Sequence, residues 1–506
     1  MCEQPCQDGM SRRTVLAGAG LLATAGTLLP GVAFAEPDDR GAPTEQTTTV
    51  TGTLPPDVAD WFYLPVDVPR GVRELEVVYS YDRPQVPPGA KGNALDIGIF
   101  SPAGFQLGNE HGFRGWSGGS RDRFTISAAA ATPGYLPGPV EQGRWHVILG
   151  PYTVAQQGLT YRVEVTLRFG PVPAPFIPDP APGRAAARDR GRAWYRGDGH
   201  LHTVHSDGRR TPAELAAAAR AAGLDFFVST EHNTPSASLQ WGEHAGEDLL
   251  VINGEEVTTR AGHWPAWNLP VGKWIDWRYR TDDLRDFRRF AGDVRRAGGL
   301  VVAAHPFAPC IGCSWEFSYE AADLIEVWNG PWTADDEAAV TTWDGLLRTG
   351  LYRPAVGDSD AHHPDQVVAL PHNVVLADEL SARRLMEGFK AGRNWIAESG
   401  AVTLTFAATD GHRTAGIGER LTTGSGTPVT VELTVSGAPG TSVRFLNQNG
   451  PQQVAPVDAS GTATVRWITQ TRYSEWVRAE VRRPVPTAST PDSMVALTNP
   501  IFFKTG

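Results

Sequence analysis

The chain is poor in cysteine, in excess positive charge and in long apolar runs. Four cysteines occur in 506 residues, and two of them, Cys2 and Cys6, fall in a leader-like N-terminus. Cys310 and Cys313 remain, in one C-x-x-C. A cysteine zinc site wants a second such pair, and nothing nearby resembles a thioredoxin-type unit. In an exported chain the pair reads as a small-loop disulfide. The formal net charge is −11. Binding nucleic acid regardless of its sequence needs Lys and Arg to neutralise phosphates, so no stable nucleic-acid binding is expected. The Arg-rich run from Arg278 to Arg296 is interspersed with Asp282, Asp283, Asp286 and Asp293, which reads as a solvated helix face. Beyond the leader no stretch approaches the ~20 apolar residues of a spanning helix. No Cys directly follows the leader's apolar stretch, so no membrane anchor is expected. No internal repeat is found.

The N-terminus carries a targeting signal. Ser11-Arg12-Arg13-Thr14-Val15-Leu16 is a twin-arginine pattern, a weakly apolar stretch follows, and Ala33-Phe34-Ala35 supplies a cleavage site. Residues 1–35 are expected to engage the twin-arginine export machinery, which places the mature protein outside the cell or in the periplasm. A chance arginine pair ahead of a general secretory signal is the alternative.

Four further segments follow. Residues 36–170 alternate apolar and polar positions between Gly/Pro turns and predict an N-terminal β-sandwich. Residues 171–193, rich in Pro, Ala and Arg, read as a semi-stiff linker. Residues 194–399 alternate strands with helices. Residues 400–506 return to strand alternation and predict a second β-sandwich. Neither sandwich shows a catalytic constellation. Spacing, carbohydrate binding and packing against the central region are all open to them.

The chemistry concentrates in the central segment, where ten of the thirteen histidines fall between His200 and His372. His200 and His202 sit at i and i+2, which on a strand points both imidazoles to one face. Asp207, Glu231-His232, Glu255-Glu256, His263, His305 and Asp358-Ser359-Asp360-Ala361-His362 follow, most of them at the end of an apolar run. One buried histidine is ordinary packing. A series of imidazoles and carboxylates at strand ends is a transition-metal site at the face where α/β barrels build active sites. Glu255 and Glu256 face opposite sides of a strand, so only one of them can bridge two ions.

Five motifs in order make this segment resemble the PHP (polymerase and histidinol phosphatase) superfamily: His200-Leu201-His202, Thr230-Glu231-His232, Gly254-Glu255-Glu256 with its trailing His263, His305-Pro306, and Ser359-Asp360-Ala361-His362. The resemblance implies a distorted (β/α)7 barrel, flanked here by the two sandwiches, with two to three divalent ions (Zn, Mn or Fe). It assigns one ion to His200, His202, Glu256 and Asp360. A second would share Glu256 and take His263 and His305. The third would take Asp207, His232 and His362. Narrower features, among them Gly262-His263-Trp264-Pro265-Ala266-Trp267, resemble the exported branch that includes carbaryl hydrolases, with Pro265 where that branch has Asn.

The resemblance implies a metal-dependent hydrolase in which a metal-bound hydroxide attacks a small-molecule or polymer ester. Phosphate mono- or diesters come first as substrates, aryl carbamates or carboxyl esters second. A non-catalytic exported binding protein is the rival from another class. His205 and His363 are candidates for a catalytic acid or a substrate clamp, with a surface position as the alternative. Asp358 is a candidate to act from behind the ligands. Trp264, Trp267, Trp328 and Trp332 suit either an apolar substrate wall or ordinary core packing.

Overall fold

In the strand Val72–Tyr81, Leu75, Val77 and Tyr79 are buried and their neighbours less so. Leu159–Phe169 repeats the pattern with Val163, Val165 and Leu167. Burial with period two marks a strand with one face on a core. These strands join Glu45–Leu54 and Arg123–Ser127 in a four-stranded antiparallel sheet. A second sheet, in the order Phe62–Val68, Gly143–Thr153, Ala94–Phe100, Phe113–Gly118, shares one core with it through Ile97, Trp145 and Val147. The computed structural model describes residues 44–281, 284–484 and 492–506. The twin-arginine pattern lies outside the described residues, as do Asp282 and Asp283.

The central segment is mixed α/β, rich in strands and sparing in helices. Ala193–Leu201, Phe226–Ser229 and Leu250–Thr259 run parallel. The chain then turns back as Gly262–Trp267, antiparallel both to the strand before it and to Leu300–Ala303. Leu324–Asn329 and Ala355–Asp358 resume the parallel pairing. On its other edge Ala193–Leu201 pairs antiparallel with His372–Ala377, which pairs antiparallel with Asn394–Ala397.

The distorted (β/α)7 barrel expected from the sequence is not evident. Strict βα alternation is broken by the Leu250–Trp267 hairpin and by the antiparallel strands at the far edge. The strands that would close a ring, Ala193–Leu201 and Ala355–Asp358, do not share a ladder. A single bridge from Leu201 to Ala361 links that side. Among the described residues only Pro212–Ala221, Leu284–Arg296, Ala334–Arg348 and Ala382–Lys390 form helices of two turns or more, and none is long and apolar enough to cross a membrane. The first begins as its sequence predicts. Thr211 caps the amide of Glu214, Glu214 caps that of Thr211, and Pro212 occupies the first turn. Gly223 takes φ 75° just past its end, a conformation that costs glycine little.

The sheet does not stop at the expected boundary between 399 and 400. Asn394–Ala397 pairs Trp395 with Thr498 and Ala397 with Ala496. The ladder then runs on through Trp476–Arg483, Ser442–Asn447 and Gly450–Pro456, fifteen strands in all with the side branches. A separate four-stranded sheet containing Thr403–Thr409 and Val429–Ser436 packs on this extension around Val431, Phe445 and Val477. An unpaired edge exposes backbone donors and acceptors, and borrowing a partner strand satisfies them.

Candidate metal centre

The ligand atoms converge because the strand ends deliver them from different directions. Ala193–Leu201 brings in His200 and, one step past its end, His202. Its glycines are required by close packing. A Cβ on Gly197 would lie 2.2 Å from the Phe226 ring, and one on Gly199 2.1 Å from Trp267. Between them Asp198 is fully buried. It accepts hydrogen bonds from Ser359 N (3.1 Å), Ser359 Oγ (2.6 Å) and Ala369 N (3.0 Å), which fixes the loop bearing Asp360 to the strand bearing His200. Two of the expected ligands hold left-handed backbone, His305 at φ 24° and Asp360 at φ 47°. Non-glycine residues adopt this region at a cost of order 1–3 kcal/mol, which the surrounding packing must offset.

Glu256 is the hub. Its Oε2 lies 3.3 Å from His200 Nε2, 3.4 Å from His202 Nε2 and 2.7 Å from His232 Nδ1. Its Oε1 lies 3.1 Å from His263 Nδ1 and 3.2 Å from His305 Nε2. Asp360 Oδ1 faces the same two imidazoles, 3.4 Å from His200 Nε2 and 3.0 Å from His202 Nε2. At the rim Asp207 Oδ1 stands 3.5 Å from His232 Nε2 and 3.3 Å from His362 Nε2, and those two nitrogens are 3.5 Å apart. Four overlapping groups have their ligand atoms within 4.8 Å of one another: His202, Asp207, His232 and His362; His200, His305 and Asp360; His200, His202 and Glu256; His232, Glu256 and His263. Sequence reasoning placed His263 and His305 together on one ion. Both reach Glu256, but in these groups His305 falls with His200 and Asp360, and His263 with His232.

The residues present fit divalent ions. His200 Nε2, His202 Nε2, Glu256 Oε2 and Asp360 Oδ1 are buried and have no hydrogen-bond partner. Leaving four such atoms desolvated costs about 1–3 kcal/mol each unless something else satisfies them. Tetrahedral ligands at about 2.1 Å from an ion lie about 3.4 Å from one another. The contacts among these atoms, and those among the rim groups, fall at 3.0–3.5 Å.

The electrostatics point the same way. Burial alone raises a carboxyl, yet His232, His200 and His263 hold Glu256 well below its usual range. His200 and His362 do the same for Asp360, again against burial. Burial lowers His232, but Glu256 and Asp207 outweigh it and push the imidazole up to about 9. Asp360 and Asp207 likewise push His362 up to about 10. Burial, aided by His362 and His232, drops His202 to about 3. The cluster is a concentrated negative field that draws positive charge, as protons or as metal.

Glu255 faces the other way. It is fully buried, accepts a hydrogen bond from Ile275 N at 3.0 Å, and burial raises its carboxyl well above the usual range. Of the catalytic candidates, His205 is buried with Nδ1 2.9 Å from Ser236 Oγ, away from the cluster. Asp358 is fully buried, bonded to Gly199 N and, at 2.8 Å, to Asn373 Nδ2, so it braces the strands behind the ligands. His363 lines a shallow groove with Arg121, Asp207 and Arg209. Trp264, Trp267 and Trp328 are core residues with almost no exposed surface, and Trp332 packs edge-on against Trp328. They form no substrate wall.

Two features escaped the sequence reading. Glu326 is buried, with Oε1 3.1 Å from His200 Nδ1 and Oε2 accepting from His305 N at 2.7 Å. It orients one ligand through the ring and another through the backbone. The available signal was a lone carboxylate inside the apolar strand Leu324–Asn329. Replacing Glu326 by Gln should weaken metal binding by about 10–100-fold, the usual cost of losing such a partner, with the fold intact. Metal titration of the variant checks this, and unchanged affinity would refute the role. The second feature is the pocket. A cavity of about 460 Å³ opens at Asp207, His232 and His263, and much of its wall comes from strands before residue 170, including Trp61, Asp96, Trp116 and Tyr152. No local motif marked these residues. Cys310 and Cys313 form the expected disulfide.

No protein-family model and no curated protein matches the chain. Among solved structures, a two-domain protein from Bacteroides vulgatus containing a predicted PHP-like metal-dependent phosphoesterase is 17% identical, over 63% of this chain and 97% of its own, with a TM-score of 0.34. An amidohydrolase from Chromobacterium violaceum, with bound sulfate and no metal, is 20% identical over 34% of this chain and 89% of its own, with a TM-score of 0.26. Likeness at this level carries no argument about the chemistry here, which rests on the side chains themselves.

Proposed function

We propose that this chain is a metal-dependent hydrolase acting on phosphate esters. One observation carries the reading: buried imidazole and carboxylate atoms without hydrogen-bond partners gather at the spacing of divalent-metal ligands beside an open cavity. His200, His202, Glu256 and Asp360 would hold one ion. Asp207, His232 and His362 would hold another at the rim, and His263 and His305 complete the set around Glu256. Divalent ions bound there would supply Lewis acidity and favour ionisation of water near neutral pH.

The chain's own residues do the rest. Glu256 joins five imidazoles, carried by four strands, into one centre. Glu326 fixes the ring of His200 so that Nε2 faces inward. The Asp207 side chain is about half exposed, 47%, and marks the side open to substrate. The aromatic lining of the cavity favours a second reading, hydrolysis of aryl carboxyl esters or carbamates.

A substrate panel on metal-loaded protein separates the two: para-nitrophenyl phosphate and bis(para-nitrophenyl) phosphate against para-nitrophenyl acetate and naphthyl methylcarbamate. Metal-dependent turnover of the phosphates should exceed that of the others by about 100-fold, some 2.7 kcal/mol of transition-state preference. The reverse order would establish the second reading. No turnover of any member by fully loaded protein would sink both.

A further inference from the structure

The sheets before residue 170 do more than lean on the metal-site region. They share a core with it. Phe100, Phe113 and Trp116 pack with Val257, Trp264, Trp274 and Trp277 in one cluster. Hydrogen bonds tie the two further: Ser120 Oγ to Ser206 O at 3.2 Å, Thr234 Oγ1 to Gly134 O at 2.9 Å, and Arg121 to Val204 O. This contact seats three indoles at the cavity. Trp61 meets Trp116 and Trp277 edge-on with centroids 5.8 Å apart, and Trp116 lies 4.6 Å from Trp277. Gly150 makes the grouping possible. A Cβ there would come within 2.9 Å of Trp61, 3.0 Å of Trp116 and 3.3 Å of Asp96.

Asp96 is the odd member of this wall. It lines the cavity with the indoles and with His232, and among the described residues no hydrogen bond or ion pair is seen to its carboxylate. A Cβ on Gly119 would lie 3.4 Å from its Oδ1, and one on Gly118 3.9 Å, so two glycines flank it with no side chain in the way. Among the cavity's other polar groups, Arg260, Ser117 and Asn233 have protein partners. Arg260 pairs with Asp60 at 3.1 Å and stacks on Trp61 and Tyr152. Ser117 bonds Tyr135, and Asn233 bonds the backbone of Thr258 on both its amide atoms. A part-buried acceptor at the wall of a pocket selects a ligand that brings a donor to it.

We infer that residues before 170 form the specificity wall of the substrate pocket, where Trp61, backed by the buried Trp116 and Trp277, receives a planar aromatic group and Asp96 binds a hydrogen-bond donor on that group. The inference rests on the proposed metal centre for the position of the reacting ester and deepens that reading by naming the substrate class: a compact aryl ester bearing an amino or hydroxyl substituent. The cavity volume suits a molecule of that size. Burial pushes Asp96 up to about 7 against the pull of Arg260 and His232, as expected of a carboxylate that lacks a donor.

Binding of three phosphonates that cannot be hydrolysed tests the idea without turnover: methylphosphonate, benzylphosphonate and para-aminobenzylphosphonate. Each is titrated calorimetrically into the metal-loaded full chain. Benzylphosphonate should bind about tenfold more tightly than methylphosphonate, and the amino compound about tenfold more tightly again. Asp96→Asn, which keeps the shape, should shrink the amino preference, read as the ratio of para-aminobenzylphosphonate to benzylphosphonate affinity, below about threefold. Trp61→Leu should remove most of the benzyl preference, with circular dichroism confirming the fold. An amino preference that is absent from the parent protein, or that survives in Asp96→Asn, overturns the role of Asp96. A benzyl preference untouched in Trp61→Leu overturns the role of the wall. The metal reading fails separately, if methylphosphonate binds equally well before and after metal is removed.

Discussion

Glu256→Gln should strip the protein of metal and lower turnover by about three orders of magnitude or more, beyond the 10–100-fold typical of a residue that only supports a ligand. Glu255→Gln should keep most of both. The two residues are adjacent and both fully buried, so burial does not distinguish them. Their surroundings do. Glu256 touches five imidazoles and is held ionised by them, so the amide removes the charge that gathers the site. Glu255 sits where burial, above all, raises its carboxyl well above the usual range, so the charge that Gln removes is one its surroundings already disfavour. Elemental analysis and turnover on both variants, with circular dichroism to show that each is folded, decide the matter. A dead, metal-poor Glu255→Gln beside a working Glu256→Gln would reverse the assignment. Full metal in both would remove this strand from the site.

Metal removal should have the second large effect. Protein purified without chelator should carry two to three ions of Zn, Mn or Fe, and chelation should abolish activity. It should also make stability depend on pH in a particular direction. In the metal-free state, Glu256 and Asp207 raise His232 to about 9 against burial, and Asp360 and Asp207 raise His362 to about 10. Both stand above the unfolded value of about 6.5. Their stabilisation is therefore fully present below pH 6.5 and is lost as pH rises through about 9 to 10. Each pKa unit corresponds to about 1.4 kcal/mol, so the loss is on the order of a few kcal/mol. The melting temperature of metal-free protein should fall from pH 7 to about pH 9. Metal-loaded protein should change little there, because the ions take the place of the protons. Ions at 1,000 times their Kd would add about 4 kcal/mol by linkage. Less than one ion per chain with activity intact would end the metal reading, and a metal-free protein that gains stability toward pH 9 would contradict the electrostatics.

The candidate ligands were legible because each one is announced locally. His200 and His202 carry the two-residue strand period in their spacing. His232, His305 and Asp360 each come just after a short apolar run that reads as a buried strand, and a polar group at such an end points to a site. The glycines before His200 are explained by Phe226 and Trp267, whose rings occupy the space a Cβ would need. Glu326 was harder. Its strand was recognised, but no feature of that strand says that the carboxylate lies behind His200 and not among the ligands.

By itself the sequence placed the candidate ligands: which side chains could hold metal, which strands carry them, and that Glu255 and Glu256 face opposite sides of their strand. Period and spacing are properties of neighbouring residues, and they survive without knowledge of the fold. Only the tertiary structure decided how the strands are joined and what surrounds the centre. The Leu250–Trp267 hairpin, the missing ladder beside Ala355–Asp358 and the pairing of Trp395 with Thr498 depend on which backbone edges meet. The pocket depends on it more. Asp96 and Trp116 lie more than 100 residues before most of the ligands, in strands whose pattern shows only an apolar face and a polar one. They reach His232 because the Phe100–Trp116 face and the Trp264–Trp277 face bury each other in one core, and that is a choice among surfaces, which no local pattern encodes.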